Sequence, residues 1–250
     1  MIKIERTPVP DELTPEVVAL KTRLFKANHS TAVWKEPYII KGLLEMSHSK
    51  CSYCECKLDE ESKYVEVEHF HDKDKYEDEV VIWDNLLPSC KKCNDHKGKH
   101  DTYDEPIIDP TKHDPRDHLA FYCYYLRGKT DMGRETESLL HLNDYKHHTL
   151  PRFKICCELS DALNTLYDTA STLVPDTIKG NKTRFRNRMI NFLQLCQPDE
   201  PYTAVKATVV SNDKKYNEIV DIMKRLQLWS EPLISLDSTM RRYQLDIEMK

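Results

Sequence analysis

At 250 residues the chain is long enough for one large domain or two small ones. Hydrophobic residues make up 39% and charged residues 32%, so a core is feasible beneath a strongly ionic surface. The formal net charge of −5 excludes a bulk polycation, and any grip on nucleic acid must come from local basic patches.

No apolar run approaches the ~18 residues that a membrane span needs. The opening Met1-Ile2-Lys3-Ile4-Glu5-Arg6 lacks the apolar stretch of a signal peptide. These features predict a cytoplasmic protein with no membrane partner. In a reducing compartment the nine cysteines read as metal ligands and buried thiols rather than disulfides. Only 5 glycines occur, which favours helix over tight hairpins.

Residues 1–13 are expected to be extended, because Pro8 and Pro10 block a helix. Thr14 can cap a helix that starts at Pro15 and lines up Val17, Leu20 and Leu24. A second helix is predicted over Glu36–Met46, burying Ile39, Ile40, Leu43 and Leu44. Between residues 51 and 101 the helical period gives way to cysteines, histidines and short β-type runs at Tyr64–Val67 and Val80–Trp83, with a charged, solvated loop over 72–79. Residues 118–126 suggest a strand ending at Arg127-Gly128. Helices are expected over 135–141, 144–170, 181–196 and 213–229, and the tail beyond Trp229 has no assignment. This gives an α+β chain in three parts: a helical arm over 1–49, a core over 50–112 and a mainly helical region over 113–250.

Cys51-Ser-Tyr-Cys54 and Cys90-Lys-Lys-Cys93 are two C-x2-C knuckles with 35 residues between them. Two intervening residues let the backbone curl so that both thiolates of a pair meet one ion. Four thiolates close a tetrahedral Zn²⁺ site with no open position, so the zinc is structural and clamps the module between them. Cys56 could compete as a ligand. Cys123, Cys156, Cys157 and Cys196 lie in apolar contexts and read as buried thiols.

Inside the clamp, Val65-Glu66-Val67-Glu68-His69 alternates like a strand and ends in an acid–histidine pair. Asn85 follows in Asn85-Leu86, and Asn94 and Lys97 follow the second knuckle in Cys93-Asn94-Asp95-His96-Lys97. An imidazole near neutral pKa can take a proton from water, which is the task assigned to His69. Glu68 and the amide oxygen of Asn94 can supply oxygen ligands to a hard cation, Mg²⁺ or Mn²⁺. Lys97 could meet a phosphate as a point charge, with Lys91, Lys92 and Lys99 tracking the backbone around it. His71, His96 and His100 are candidates for an additional ligand.

Over about residues 50–100 this order of motifs resembles the HNH endonuclease family: C-x2-C, acid–His at a strand end, Asn-Leu, then C-x2-C-Asn-x2-Lys. The resemblance implies a ββα-metal core, a two-stranded hairpin on one helix gripping a divalent cation. It also implies that Asn85 holds the hairpin loop and so orients the His69 ring. The acid before the histidine is more often Asp in the family, and Glu68 leaves the metal preference open.

Ile107-Ile108-Asp109-Pro110 and Leu139-Leu140-His141-Leu142-Asn143 extend the resemblance over about 1–150 to the nuclease subunits of Septu anti-phage systems, which also occur in some retrons. That branch implies an ATPase partner of ABC/SMC type (PtuA-like) and a nucleic-acid substrate, DNA or tRNA/RNA. In a retron setting it implies a reverse transcriptase and its DNA as well. The chain has no phosphate loop of its own, since Gly180-Asn-Lys-Thr183 is too short, so ATP would be handled by another chain. Lys179, Lys182, Arg184, Arg186 and Arg188 form an acid-free basic stretch, either a nucleic-acid contact or a solvated or partner-facing helix. Two other readings stand beside the defence nuclease: a non-catalytic zinc-stapled adaptor, and a free-standing HNH enzyme of restriction type.

Overall fold

A computed structural model describes residues 1–58 and 65–248. The chain is α+β and divides into two compact units. The first comprises 1–119 and 127–142, and the second comprises 120–126 and 143–250.

In the first unit, helix α1 (Pro15–Ala27) starts as expected, with Thr14 Oγ1 accepting the amide of Val17 and Pro15 in the first turn. Helix α2 (Pro37–Ser47) also opens on a proline. It buries Ile39, Leu43 and Met46 and stops at His48, whose φ of 53° is left-handed. Strand β1 (Val65–His69) pairs antiparallel with β2 (Leu86–Cys90), Glu68 opposite Leu87 and His69 opposite Leu86. The expected start at Tyr64 lies outside the described residues. Helix α3 (Lys91–Lys97) follows β2 directly and packs on both strands.

The expected second strand was misplaced. Val80 and Val81 are fully buried, but the segment is a tight turn, followed by a 3-10 turn over Trp83–Asn85. The strand is Leu86–Cys90, a stretch in which Pro88 argues against β structure. Pro88 is tolerated because a two-stranded sheet consists of edges, and its carbonyl still accepts the amide of Ser52 at 2.9 Å. After α3 the unit adds the single-turn helix α4 (Pro115–His118). It also holds α5 (Asp131–Leu139), which starts four residues before the expected helix because Thr130 caps it through the amide of Gly133.

The expected single strand over 118–126 is two: β3 (Leu119–Tyr122) and β4 (Tyr125–Gly128), broken by Cys123 and Tyr124 at φ of 45° and 71°. In the second unit a π-helical turn over Tyr145–Thr149 leads into α6 (Leu150–Ser171), followed by α7 (Lys179–Gln194), α8 (Thr203–Asn212), α9 (Lys214–Arg225) and α10 (Glu231–Arg241). A short β5 (Asp246–Ile247) pairs parallel with β3. The core gathers Leu163, Phe185, Met189, Leu193, Tyr216, Ile219, Met223, Leu233 and Met240. Helix α8 was not anticipated. It is buried on nearly every side, so its sequence carries no amphipathic period to read. No helix among the described residues is long and apolar enough to cross a membrane.

Candidate functional site

The two knuckles converge. The Sγ atoms of Cys51, Cys54, Cys90 and Cys93 all lie within 4.8 Å of one another. Cys54 Sγ and Cys90 Sγ are 3.8 Å apart, the edge of a tetrahedron with metal–sulfur bonds of about 2.3 Å. Cys90 caps α3, and its sulfur accepts the amide of Cys93 at 3.5 Å, which curls the second knuckle around the same point. Cys56 is half-buried nearby, outside this set of four. The donor set could hold one metal ion such as zinc, which would tie the segment before β1 to the end of β2 and the start of α3.

At the end of β1, His69 is 8% exposed. Its Nε2 lies 2.9 Å from the main-chain oxygen of Val80, in the turn that leads to β2. A carbonyl can only accept, so Nε2 carries the proton and the lone pair of the neutral ring sits on Nδ1. Burial lowers the imidazole pKa to about 4, against the opposing pull of the Val80 carbonyl. The ring is therefore neutral at ordinary pH. The indole of Trp34 meets it edge-on at 4.8 Å, and the Lys73 ammonium stands 5.5 Å from that indole.

Asn85 is 2% exposed and spends its whole amide on the loop between the strands. Its Oδ1 accepts the amide of His71 at 2.7 Å, and its Nδ2 donates to the carbonyls of His71 at 3.1 Å and Glu79 at 3.2 Å. Glu79 immediately precedes Val80, so the residue that fastens the loop also fixes the carbonyl that holds the His69 ring.

Glu68 leaves β1 on the opposite face from His69, as neighbours in a strand must. It is 2% exposed and its Oε1 lies 2.8 Å from Lys97 Nζ. Burial pushes its carboxyl up to about 7, against the Lys97 ammonium, which pulls it down. The fully buried phenol of Tyr53, in the first knuckle, is raised by burial and by the Glu68 charge. Lys97 is itself buried, and it also donates to the His69 carbonyl at 2.7 Å. This corrects the expectation that Lys97 meets a phosphate: its ammonium is enclosed and committed to β1. Asn94 is half-buried on α3, one turn before Lys97. Glu68 and Asn94 offer an anionic and an amide oxygen, which suit a hard cation. Glu68 is already paired with the Lys97 ammonium, so a divalent ion on that carboxylate would take the place of the ammonium.

Of the other expected contacts, Lys91 and Lys92 are exposed in the first turn of α3. Lys99 is exposed as well and pairs with Asp74 at 2.7 Å. His71 is fixed elsewhere, its Nδ1 2.7 Å from Thr102 Oγ1 and its ring stacked on Tyr103. His96 Nδ1 lies 3.2 Å from the Leu140 carbonyl. Val80, Trp34 and Tyr53 were not singled out from sequence. Val80 acts through its backbone and leaves no trace in residue type. Trp34 is a lone tryptophan in a polar loop, a signal that could have been followed.

Over 235 residues the chain is 40% identical to the Septu protein PtuB of Bacillus thuringiensis, covering 92% of this chain and 90% of the relative. It belongs to the Septu PtuB family. A PtuB of Bacillus mycoides (strain KBAB4) is 26% identical over 162 residues, covering 48% of this chain and 55% of that protein. No protein-family model and no solved structure matches the chain. The match to the first PtuB is too long to rest on the knuckles alone, and the family therefore takes in both units.

Proposed function

We propose that the chain is a metal-dependent HNH-type endonuclease, the effector subunit of an anti-phage defence complex with an ATPase of the PtuA kind. Its substrate class is nucleic-acid phosphodiesters, DNA or RNA. Kinship with PtuB supports the setting. The observation that carries the chemistry is the Val80 carbonyl on His69 Nε2, which leaves Nδ1 as a fixed proton acceptor.

In this reading His69 takes the proton from the attacking water at Nδ1. Its neutral form is secured by burial, and the negative charge of a bound phosphate would raise its basicity toward the working range. Asn85 is a positioning residue, acting through the His71 and Glu79 backbone. Glu68 and Asn94 would hold a Mg²⁺ or Mn²⁺ ion, which when bound supplies Lewis-acid relief of charge on the departing oxygen. Lys97 keeps Glu68 balanced in its absence. Lys92 and Lys99, both exposed, would meet the phosphate backbone. The four thiolates hold structural zinc.

The non-catalytic adaptor is favoured by two observations, the departure of Glu68 and His69 from β1 on opposite faces and the neutralisation of Glu68 by Lys97 inside the fold. Replacing His69 separates the two readings. His69→Ala should keep zinc and partner binding while cleavage falls by at least the ~10²–10⁴-fold that a general base contributes. An adaptor would show no cleavage before or after the change.

A further inference from the structure

The segment after α3 carries a second group of donors, separate from the thiolates. His100 and Glu105 in that loop and Glu135 on α5 each bring one ligand atom to within 4.8 Å of the other two. The His100 side chain is 8% exposed, and its Nε2 lies 2.7 Å from the Glu105 main-chain oxygen. That oxygen can only accept, so Nε2 is protonated and the neutral ring turns its Nδ1 lone pair the other way. Nδ1 faces the Glu105 carboxylate at 3.8 Å, beyond hydrogen-bonding distance.

With the His100 ring neutral, its Nδ1 lone pair and the two carboxylates repel one another unless positive charge lies between them. Elsewhere in this unit nearby carboxylates have a lysine: Asp74 with Lys99, Asp101 with Lys75, Asp109 with Lys112. Among the described residues neither Glu105 nor Glu135 has a lysine or arginine partner.

We infer that His100, Glu105 and Glu135 bind a first-row divalent transition-metal ion. One imidazole nitrogen and two carboxylate oxygens suit zinc, manganese, cobalt or nickel better than Mg²⁺ or Ca²⁺, which prefer oxygen throughout. A ring N–H held by a backbone carbonyl is the usual means of aiming a metal-ligating histidine. Metal–ligand bonds of about 2.0–2.2 Å bring neighbouring ligands to about 3–3.5 Å, so the cluster draws in by roughly an ångström when the ion enters. The Glu105 side chain, 72% exposed, is free to make that move. The loop is already fastened to α5 by the Ile108 amide on Thr136 Oγ1 at 2.8 Å. The ion would add a second tie along the same seam, one residue away on the helix, with water completing its coordination.

The test is a titration of the zinc-loaded protein with cobalt(II), followed by calorimetry and visible absorption. Beyond the zinc and any ion held at Glu68 and Asn94, one equivalent should bind with weak bands of nitrogen–oxygen type and without sulfur-to-cobalt charge transfer. His100→Ala and Glu135→Gln should each weaken that equivalent at least tenfold. Glu135→Gln keeps the side chain's shape, so its effect reads the charge rather than the fold. The assignment is overturned if no cobalt binds outside the thiolates, or if every bound equivalent keeps its affinity in both variants.

Discussion

Asn85 grips the backbone of His71 from both sides, accepting its N–H at 2.7 Å and donating to its carbonyl at 3.1 Å. A third bond reaches Glu79, beside the carbonyl that holds His69. Asn85→Ala should leave these backbone groups unpaired in a buried setting, at about 1–3 kcal/mol of stability. In cleavage, kcat should fall and KM should hold, because the residue positions the base without touching substrate. A nuclear magnetic resonance spectrum should show the His69 ring losing its fixed tautomer. An unchanged His69 signal would separate Asn85 from the base.

Lys97 and Lys92 lie five residues apart in and around one short helix and should behave in opposite ways. Lys97→Ala strands the Glu68 carboxylate in the interior, which costs about 3–5 kcal/mol and lowers the melting temperature. Lys97→Met combined with Glu68→Gln should cost less than the single changes summed. Lys92→Ala should leave stability alone and reduce the salt dependence of nucleic-acid binding by about one phosphate contact. Thermal melts and salt titrations of the variants check both.

Zinc should be present at one equivalent per chain, held by Cys51, Cys54, Cys90 and Cys93. Strong chelation, or Cys54→Ser, should release it and unfold the segment from the first knuckle to α3, since binding free energy at such a site is also folding free energy. The helices of the second unit should survive, because their core of Leu163, Phe185, Met189 and Ile219 does not involve the thiolates. Hydrogen exchange resolved by segment distinguishes these outcomes from global unfolding.

The remaining thiols should divide by burial. Cys156 and Cys196 are pushed up to about 12 by burial, whereas Cys123 and Cys157 are exposed. At pH 8 alkylation should modify Cys123 and Cys157 quickly and leave Cys156 and Cys196 untouched until the protein is denatured. Peptide mapping after brief exposure to iodoacetamide reads this directly. The exposure of Cys123 and Cys157 corrects the sequence-based reading, which placed all four thiols in the interior.

Gly133 lies where α5 meets the residues before β3, and a Cβ there would run into the carbonyl oxygen of His118. Because the obstacle is backbone, Gly133→Ala should destabilise the first unit by about 1–3 kcal/mol. A melting temperature equal to that of the unaltered chain would contradict the packing.

What was legible in the sequence was what chemistry fixes by spacing. The C-x2-C pairs converge into one four-cysteine cluster that could hold a metal, and the His69 and Asn85 positions follow from a strand end and the loop behind it. Capping gave α1, and the helical period of Tyr216, Ile219, Val220 and Met223 gave α9. What escaped depended on tertiary burial. Val80 and Val81 are apolar and β-branched, yet they fill a turn, and a buried turn and a buried strand share one composition. Lys97 looked like a surface cation until Glu68 turned toward it. The contribution of Val80 comes from a carbonyl, which every residue has.

The most direct measurement is single-turnover cleavage of end-labelled DNA and RNA by the zinc-loaded chain with its ATPase partner and Mg²⁺ or Mn²⁺, the native chain beside His69→Ala. The account predicts metal-dependent cutting by the native chain and its loss, by at least about a hundredfold, in a variant that still holds zinc and the partner. Equal cutting by both, or no cutting by the native chain on either substrate, would contradict it.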